Sequence, residues 1–224
     1  MKTEIQVFSE TGEDHRREGK ENEDSVSVIQ HGDKIFAVVA DGAGSSPVAK
    51  PASATAVAAG IAFCQTHPDD IFDESGQVPL TLVYDIQQAQ AAAAQKEQQR
   101  QGINIGLSQM LCTFMLLAID TRNRKYVTYH VGDGLIAQIN PEGTQIISYP
   151  ENGATKQITY FVNSPNVHSH LRIKHGSFSE NDSFFIGTDG CFEHCYRTDE
   201  KIKRVNELDK ITDCKDDATY CIIQ

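Results

Sequence analysis

The residues best suited to chemistry in this chain are acidic, and they recur at the ends of strand-like runs. Ala40-Asp41-Gly42-Ala43-Gly44-Ser45-Ser46 follows the apolar run Ile35-Phe36-Ala37-Val38-Val39 and precedes a small-residue segment that reads as a helix. A buried strand therefore ends in a carboxylate, and the glycines let the backbone approach whatever that carboxylate binds. Asp-Gly is also ordinary turn chemistry, so one instance says little. Three later runs repeat it: Val131-Gly132-Asp133-Gly134, Gly187-Thr188-Asp189-Gly190 and Lys215-Asp216-Asp217-Ala218-Thr219. Oxygen-rich clusters select hard cations, Mg2+ or Mn2+, over Zn2+. Carboxylates crowded together at neutral pH need such cations or raised pKa values. Glu23, Asp41, Asp189 and Asp216 are either a metal site or a set not gathered in space, and spacing alone leaves both open.

The elements that must position these acids read as a mixture of strands and helices. Residues 4–8 have strand character, and a polar, Gly-containing stretch follows at 11–20. The turn His31-Gly32-Asp33-Lys34 joins 26–29 to 35–40 as a hairpin. That hairpin would carry Glu23 and Asp24 close to Asp41. Residues 47–66 read as an Ala-rich helix packed on a sheet, and 80–101 as a second, amphipathic one. From 107 the pattern turns to β: 110–119, 126–130, 135–139 and 145–149 read as an antiparallel meander. Residues 150–168 read as surface loop, 171–174 and 184–187 as strands, 191–208 as a helix and 219–223 as a last strand. Strands in runs flanking a helix pair indicate the α+β class.

Composition narrows the function classes. At 224 residues the chain suits a single domain, 1–224, of ordinary apolar content. Its 31 acidic residues against 20 basic ones give a net charge of −11, which argues against non-specific nucleic-acid binding. The first residues lack a long apolar core, and no run approaches a membrane span, so the expected location is the cytoplasm. Cys112 and Cys221 lie in strand-like runs and read as small core residues. Cys191 and Cys195, with His194 between them, hint at zinc, but no second close pair completes a site, and reduced thiols are the better reading.

The order and wording of the motifs go beyond composition. The chain resembles the metal-dependent protein phosphatases of type 2C, particularly their short bacterial branch. The resemblance rests on Asn22-Glu23-Asp24-Ser25, Ala40-Asp41-Gly42-Ala43-Gly44, Leu111-Cys112-Thr113, Val131-Gly132-Asp133-Gly134, Gly187-Thr188-Asp189-Gly190 and Asp216-Asp217-Ala218-Thr219. It implies a four-layer α-β-β-α sandwich of two antiparallel sheets with helices on both outer faces. It further implies that Asp41 bridges two Mg2+ or Mn2+ ions and that the Gly42 carbonyl is a backbone ligand. Asp189 and Asp216 match ligands of one metal, and Glu23 matches a ligand of the other, partly through water. Asp24 matches an acid just behind the ligands, and Asp133 and Glu193 lie where some members hold a weaker third metal. The implied reaction is in-line attack on phosphoserine or phosphothreonine of a protein by a metal-bridging hydroxide. A phosphorylated protein substrate and a cognate kinase pathway are the implied partners.

Three positions depart from the family pattern. Gly19 stands where many members carry a phosphate-binding Arg four residues before the Glu, and Arg16, Arg17 and Lys20 are the candidate substitutes in the same loop. Ala43 replaces a His proposed as the acid that protonates the leaving group, and His15 is the nearest replacement in sequence. Asp217 replaces an Asn common beside the last ligand, where it either tunes metal affinity or faces water. Thr113 reads as core packing. Against the phosphatase reading stand a non-catalytic signalling or adaptor domain and a hydrolase of small phosphoesters.

Overall fold

β3 (Lys34–Ala40) is buried at every position after its first, and side-chain alternation explains why. Phe36, Val38 and Ala40 point into one apolar cluster while Ile35, Ala37 and Val39 point into another. β4 (Phe114–Asp120) repeats the pattern, with Phe114, Leu116 and Ala118 on the first side and Met115, Leu117 and Ile119 on the second. A sheet apolar on both faces must be covered twice, by helices on one side and by a second sheet on the other.

The computed structural model describes residues 3–73, 77–153, 159–191 and 214–224. Its strands are β1 (Ile5–Glu10), β2 (Ser25–His31), β3, β4, β5 (Lys125–Val131), β6 (Leu135–Asn140), β7 (Gly143–Ser148), β8 (Arg172–Ser177), β9 (Ser183–Gly187) and β10 (Ala218–Ile223). They form two antiparallel five-stranded sheets, ordered β1-β10-β9-β6-β7 and β2-β3-β4-β5-β8. Helices flank the stacked sheets, giving the α-β-β-α sandwich. The helix expected at 191–208 falls almost wholly on residues 192–213, outside the described ones.

α2 (Ala49–Thr66) and α3 (Gln77–Gln101) cover the β3-containing sheet. Gly60 is why α2 sits so close: a Cβ there would stand 2.9 Å from Phe114 Cε2 and 3.2 Å from Val38 Cγ1. A short α4 (Val167–His170) interrupts the expected surface loop. The polar stretch 11–20 contains a helix absent from the sequence reading, α1 (Glu13–Glu18), closed by Gly19 at φ 68. No helix among the described residues is long and apolar enough to cross a membrane.

The expected four-strand meander is two hairpins in different sheets. β4 pairs with β5, and β6 pairs with β7, but the chain changes sheets at Gly132-Asp133-Gly134. Alternating apolar residues read the same whichever sheet receives them. Residues 110–113 also lie outside β4, irregular but for a single bridge between Cys112 and Gly42.

Candidate metal centre

The acids gather because strand ends do. Ser25 at the start of β2 pairs with Ala40 at the end of β3, and Phe114 of β4 pairs with Val131 at the end of β5. In the other sheet Gly187 at the end of β9 lies between Leu135 and Tyr220. Asp41, Asp133 and Asp189 each follow one of these termini, and one carboxylate oxygen from each lies within 4.8 Å of the other two. The sheet crossing is what carries Asp133 into this group.

Asp41 is held from behind by Thr113. The Asp41 N–H donates to Thr113 Oγ1 at 2.9 Å, and the Thr113 N–H donates to the Asp41 carbonyl at 2.9 Å. The Ala43 N–H continues the contact by donating to the Leu111 carbonyl at 3.0 Å. Thr113 is buried, as core packing requires, but its hydroxyl also fixes the backbone of an acid in the cluster. A Cβ on Gly42 would collide with the Ala49 carbonyl oxygen and stand 2.8 Å from the Glu23 carbonyl oxygen, so no larger residue fits there.

Behind this cluster lies a second layer of acids. Asp24 is buried, and its Oδ2 accepts from Thr188 Oγ1 at 2.8 Å. Lys50 Nζ donates to the Asp24 carbonyl and, at 3.2 Å, to Ser25 Oγ. Asp216 is exposed and outside the tight triad, yet its charge acts on Asp41, Asp133, Asp189 and Glu23. Asp217 does not face water. It is 3% exposed and accepts three donors: the Gly12 N–H at 2.7 Å, the Glu23 N–H at 2.6 Å and His15 Nδ1 at 2.8 Å. Because a carboxylate only accepts, the His15 proton sits on Nδ1, and Nε2 faces Glu23 Oε2 at 3.6 Å. Glu193 lies outside the described residues.

Electrostatics make the cluster expensive when empty of cations. Burial pushes the carboxyls of Asp24, Asp41, Asp133 and Glu23 up, and neighbouring acids add to the push. Burial, then Asp133 and Asp216, raises Asp189 to about 7. Glu23 Oε2 and Asp24 Oδ1 are buried oxygens with no hydrogen-bond partner. Converging oxygen donors, unsatisfied buried carboxylate oxygens and mutual repulsion fit a hard divalent cation.

The basic candidates of the loop are occupied by local acids. Arg16 pairs with Glu10 at 2.9 Å, Arg17 with Glu13 at 3.1 Å and Asp14 at 3.5 Å, and Lys20 with Glu18 at 2.7 Å. Of the three, Lys20 and its charge are what Glu23 feels.

The family model described as Protein phosphatase 2C matches residues 11–218. The chain belongs to that family. Among solved structures, a bacterial serine phosphatase aligns with a TM-score of 0.70 at 16% identity, covering 99% of this chain and 97% of that one. RsbX in complex with magnesium aligns at 0.64 with 19% identity, covering 99% and 94%. The S. agalactiae serine/threonine phosphatase aligns at 0.64 with 13% identity, covering 99% of each chain. These likenesses are of fold. No curated protein sequence matches the chain.

Two groups that shape this phosphatase 2C site carry little signal in the sequence. Thr188 is visible only as part of Gly187-Thr188-Asp189-Gly190, and its bond to Asp24 spans 164 positions. Arg172 has no motif around it, yet it donates to the Gly132 carbonyl beside Asp133 at 2.7 Å. Among the described residues, Cys64, Cys112, Cys191, Cys214 and Cys221 are all buried. Burial pushes the Cys64, Cys112 and Cys221 thiols up to about 12. His194 and Cys195 lie outside the described residues.

Proposed function

We propose that the chain is a metal-dependent serine/threonine protein phosphatase acting on phosphorylated proteins supplied by a kinase. The observation that carries this reading is the convergence of Asp41, Asp133 and Asp189 within 4.8 Å, backed by the unsatisfied Glu23 and Asp24 oxygens. In a member of this family such a cluster would hold Mg2+ or Mn2+, two ions or three. Asp41 would be shared between ions. Glu23 and the Gly42 carbonyl would serve one of them, Asp189 and Asp216 another, and Asp133 with Glu193 a weaker third. Bound divalent cations supply a nucleophile at neutral pH and neutralise charge on the phosphoryl oxygens. Asp24 and Asp217 support the ligands from behind.

The remaining chemistry falls to this chain's own side chains. All three loop cations pair with local acids, and Lys20, held by Glu18, is the best placed of them to meet substrate phosphate because its charge also reaches Glu23. His15 takes the place left by Ala43. Asp217 holds the ring through Nδ1–H, leaving Nε2 at the edge of the acid cluster, where the imidazolium, with a second proton on Nε2, hands that proton to the departing serine or threonine oxygen and is left as the neutral Nδ1–H form.

Phosphate release from a phosphothreonine peptide, compared with nucleotides and sugar phosphates, tests the reading. Turnover that needs Mn2+ or Mg2+, stops with EDTA and favours the peptide is expected. Metal-independent turnover, or none on any substrate, contradicts it. His15→Ala should lose about 10-fold or more on phenyl phosphate, whose leaving group needs a proton, and little on p-nitrophenyl phosphate. Equal losses on both would remove His15 from the role.

A further inference from the structure

Arg172 opens an edge strand, where an arginine ordinarily extends into water. Here its side chain is 24% exposed and turned inward. Nη2 donates to the Gly132 carbonyl at 2.7 Å, and Nη1 donates to the Tyr149 carbonyl at 2.7 Å. The Glu151 N–H donates to the same Gly132 carbonyl at 3.0 Å, and Glu151 Oε2 stands 3.6 Å from Nη1. One planar fork therefore ties the sheet crossing to the chain leaving β7. A lysine ammonium lacks the rigid spread of donors that spans two carbonyls.

The crossing needs such a tie. Gly132 is at φ 117, and a Cβ there would stand 2.5 Å from Thr113 Cγ2. Thr113 is the residue that holds Asp41. The next residue after Gly132 is Asp133, so a small rotation of the Gly132 peptide moves one member of the triad relative to the other two.

We propose that Arg172 is a positioning residue for the metal centre: it fixes the Gly132-Asp133 turn so that Asp133 meets Asp41 and Asp189, and so sets the affinity of the Asp133 side for a divalent cation. The inference rests on the metal-centre reading above. Its chemistry is that of an outer residue orienting a ligand through the backbone, an effect commonly worth about 10- to 100-fold in metal affinity.

The test is Mn2+ titration of the EDTA-treated full chain, followed by the electron paramagnetic resonance signal of free Mn2+. Wild type, Arg172→Lys, Asp133→Asn and the double variant are compared, with circular dichroism to establish folding. Arg172→Lys keeps the charge and loses the fork. It should weaken, by about 10-fold or more, the same binding step that Asp133→Asn weakens, and leave the others within about threefold. The double variant should bind no more weakly than Asp133→Asn alone. If Arg172→Lys does not fold, Arg172→Gln, which keeps an amide donor, carries the same comparison. Wild-type affinity in the folded Arg172 variant, or losses that add in the double variant, would overturn the proposal while leaving the metal centre intact. A wild type that binds no Mn2+ would overturn both.

Discussion

Thr113 and Asp217 show how single side chains shape this site without standing among the acids at its front. Removing the Thr113 hydroxyl while keeping its shape leaves the Asp41 N–H without its acceptor. Thr113→Val should therefore lower stability by about 1–3 kcal/mol in urea unfolding at unchanged slope, and weaken Mn2+ binding with it. Equal stability would mean that the bond contributes nothing. The family motifs made Asp41, Asp133 and Asp189 legible, because each follows a strand within one or two residues. The partners of Thr113 and Asp217 were not legible. Thr113 reaches a residue 72 positions away, and Asp217 collects donors 194 to 205 positions away. A hydroxyl in an apolar strand and an acid beside another acid look the same whether they meet such partners or water.

At the scale of elements, the decisive feature is the passage from β5 to β6. Strand identity was readable from alternation, but the allocation of strands to sheets was not, because each sheet buries the same kinds of residue on both of its faces. The signal that did exist was Gly132, whose backbone conformation L-residues rarely adopt. Gly132→Ala meets both an unfavourable φ and the Thr113 side chain. It should cost about 1–3 kcal/mol and reduce Mn2+ affinity together with it, read by thermal unfolding and Mn2+ titration on one preparation. A variant as stable as the wild type would show that the crossing tolerates other geometry. α1 was hidden for a different reason: six polar residues, five of them exposed, have no apolar period, and the helix is held by backbone bonds to Cys214 and Lys215 and by His15 against Asp217.

For the whole molecule, the acidic balance and the buried carboxyls predict how stability follows pH. Asp189 titrates at about 7 in the fold against about 4 when unfolded, so between those values the native state holds a proton the unfolded chain has lost. Metal-free stability is therefore lost as pH rises through that window, and Asp24, Asp41, Asp133 and Glu23 act in the same direction. His130 opposes them. It is buried and held neutral, so its share is lost as pH falls below about 6.5, where the unfolded chain gains a proton. Cations compete with the protons on the carboxyls. The rise in melting temperature produced by saturating Mn2+ should thus be larger at about pH 8 than at about pH 6. A shift that is independent of pH would mean that the cation binds away from these acids.

The most direct measurement is the equilibrium binding of Mn2+ to the EDTA-treated protein beside a folded Asp41→Asn variant. The account predicts more than one Mn2+ per wild-type chain and a loss of about 10-fold or more in affinity for the variant, since Asp41 belongs to the triad and feels the charge of Asp24, Asp133, Asp189 and Asp216. No Mn2+ bound by the wild type, or equal binding by the variant, would contradict it.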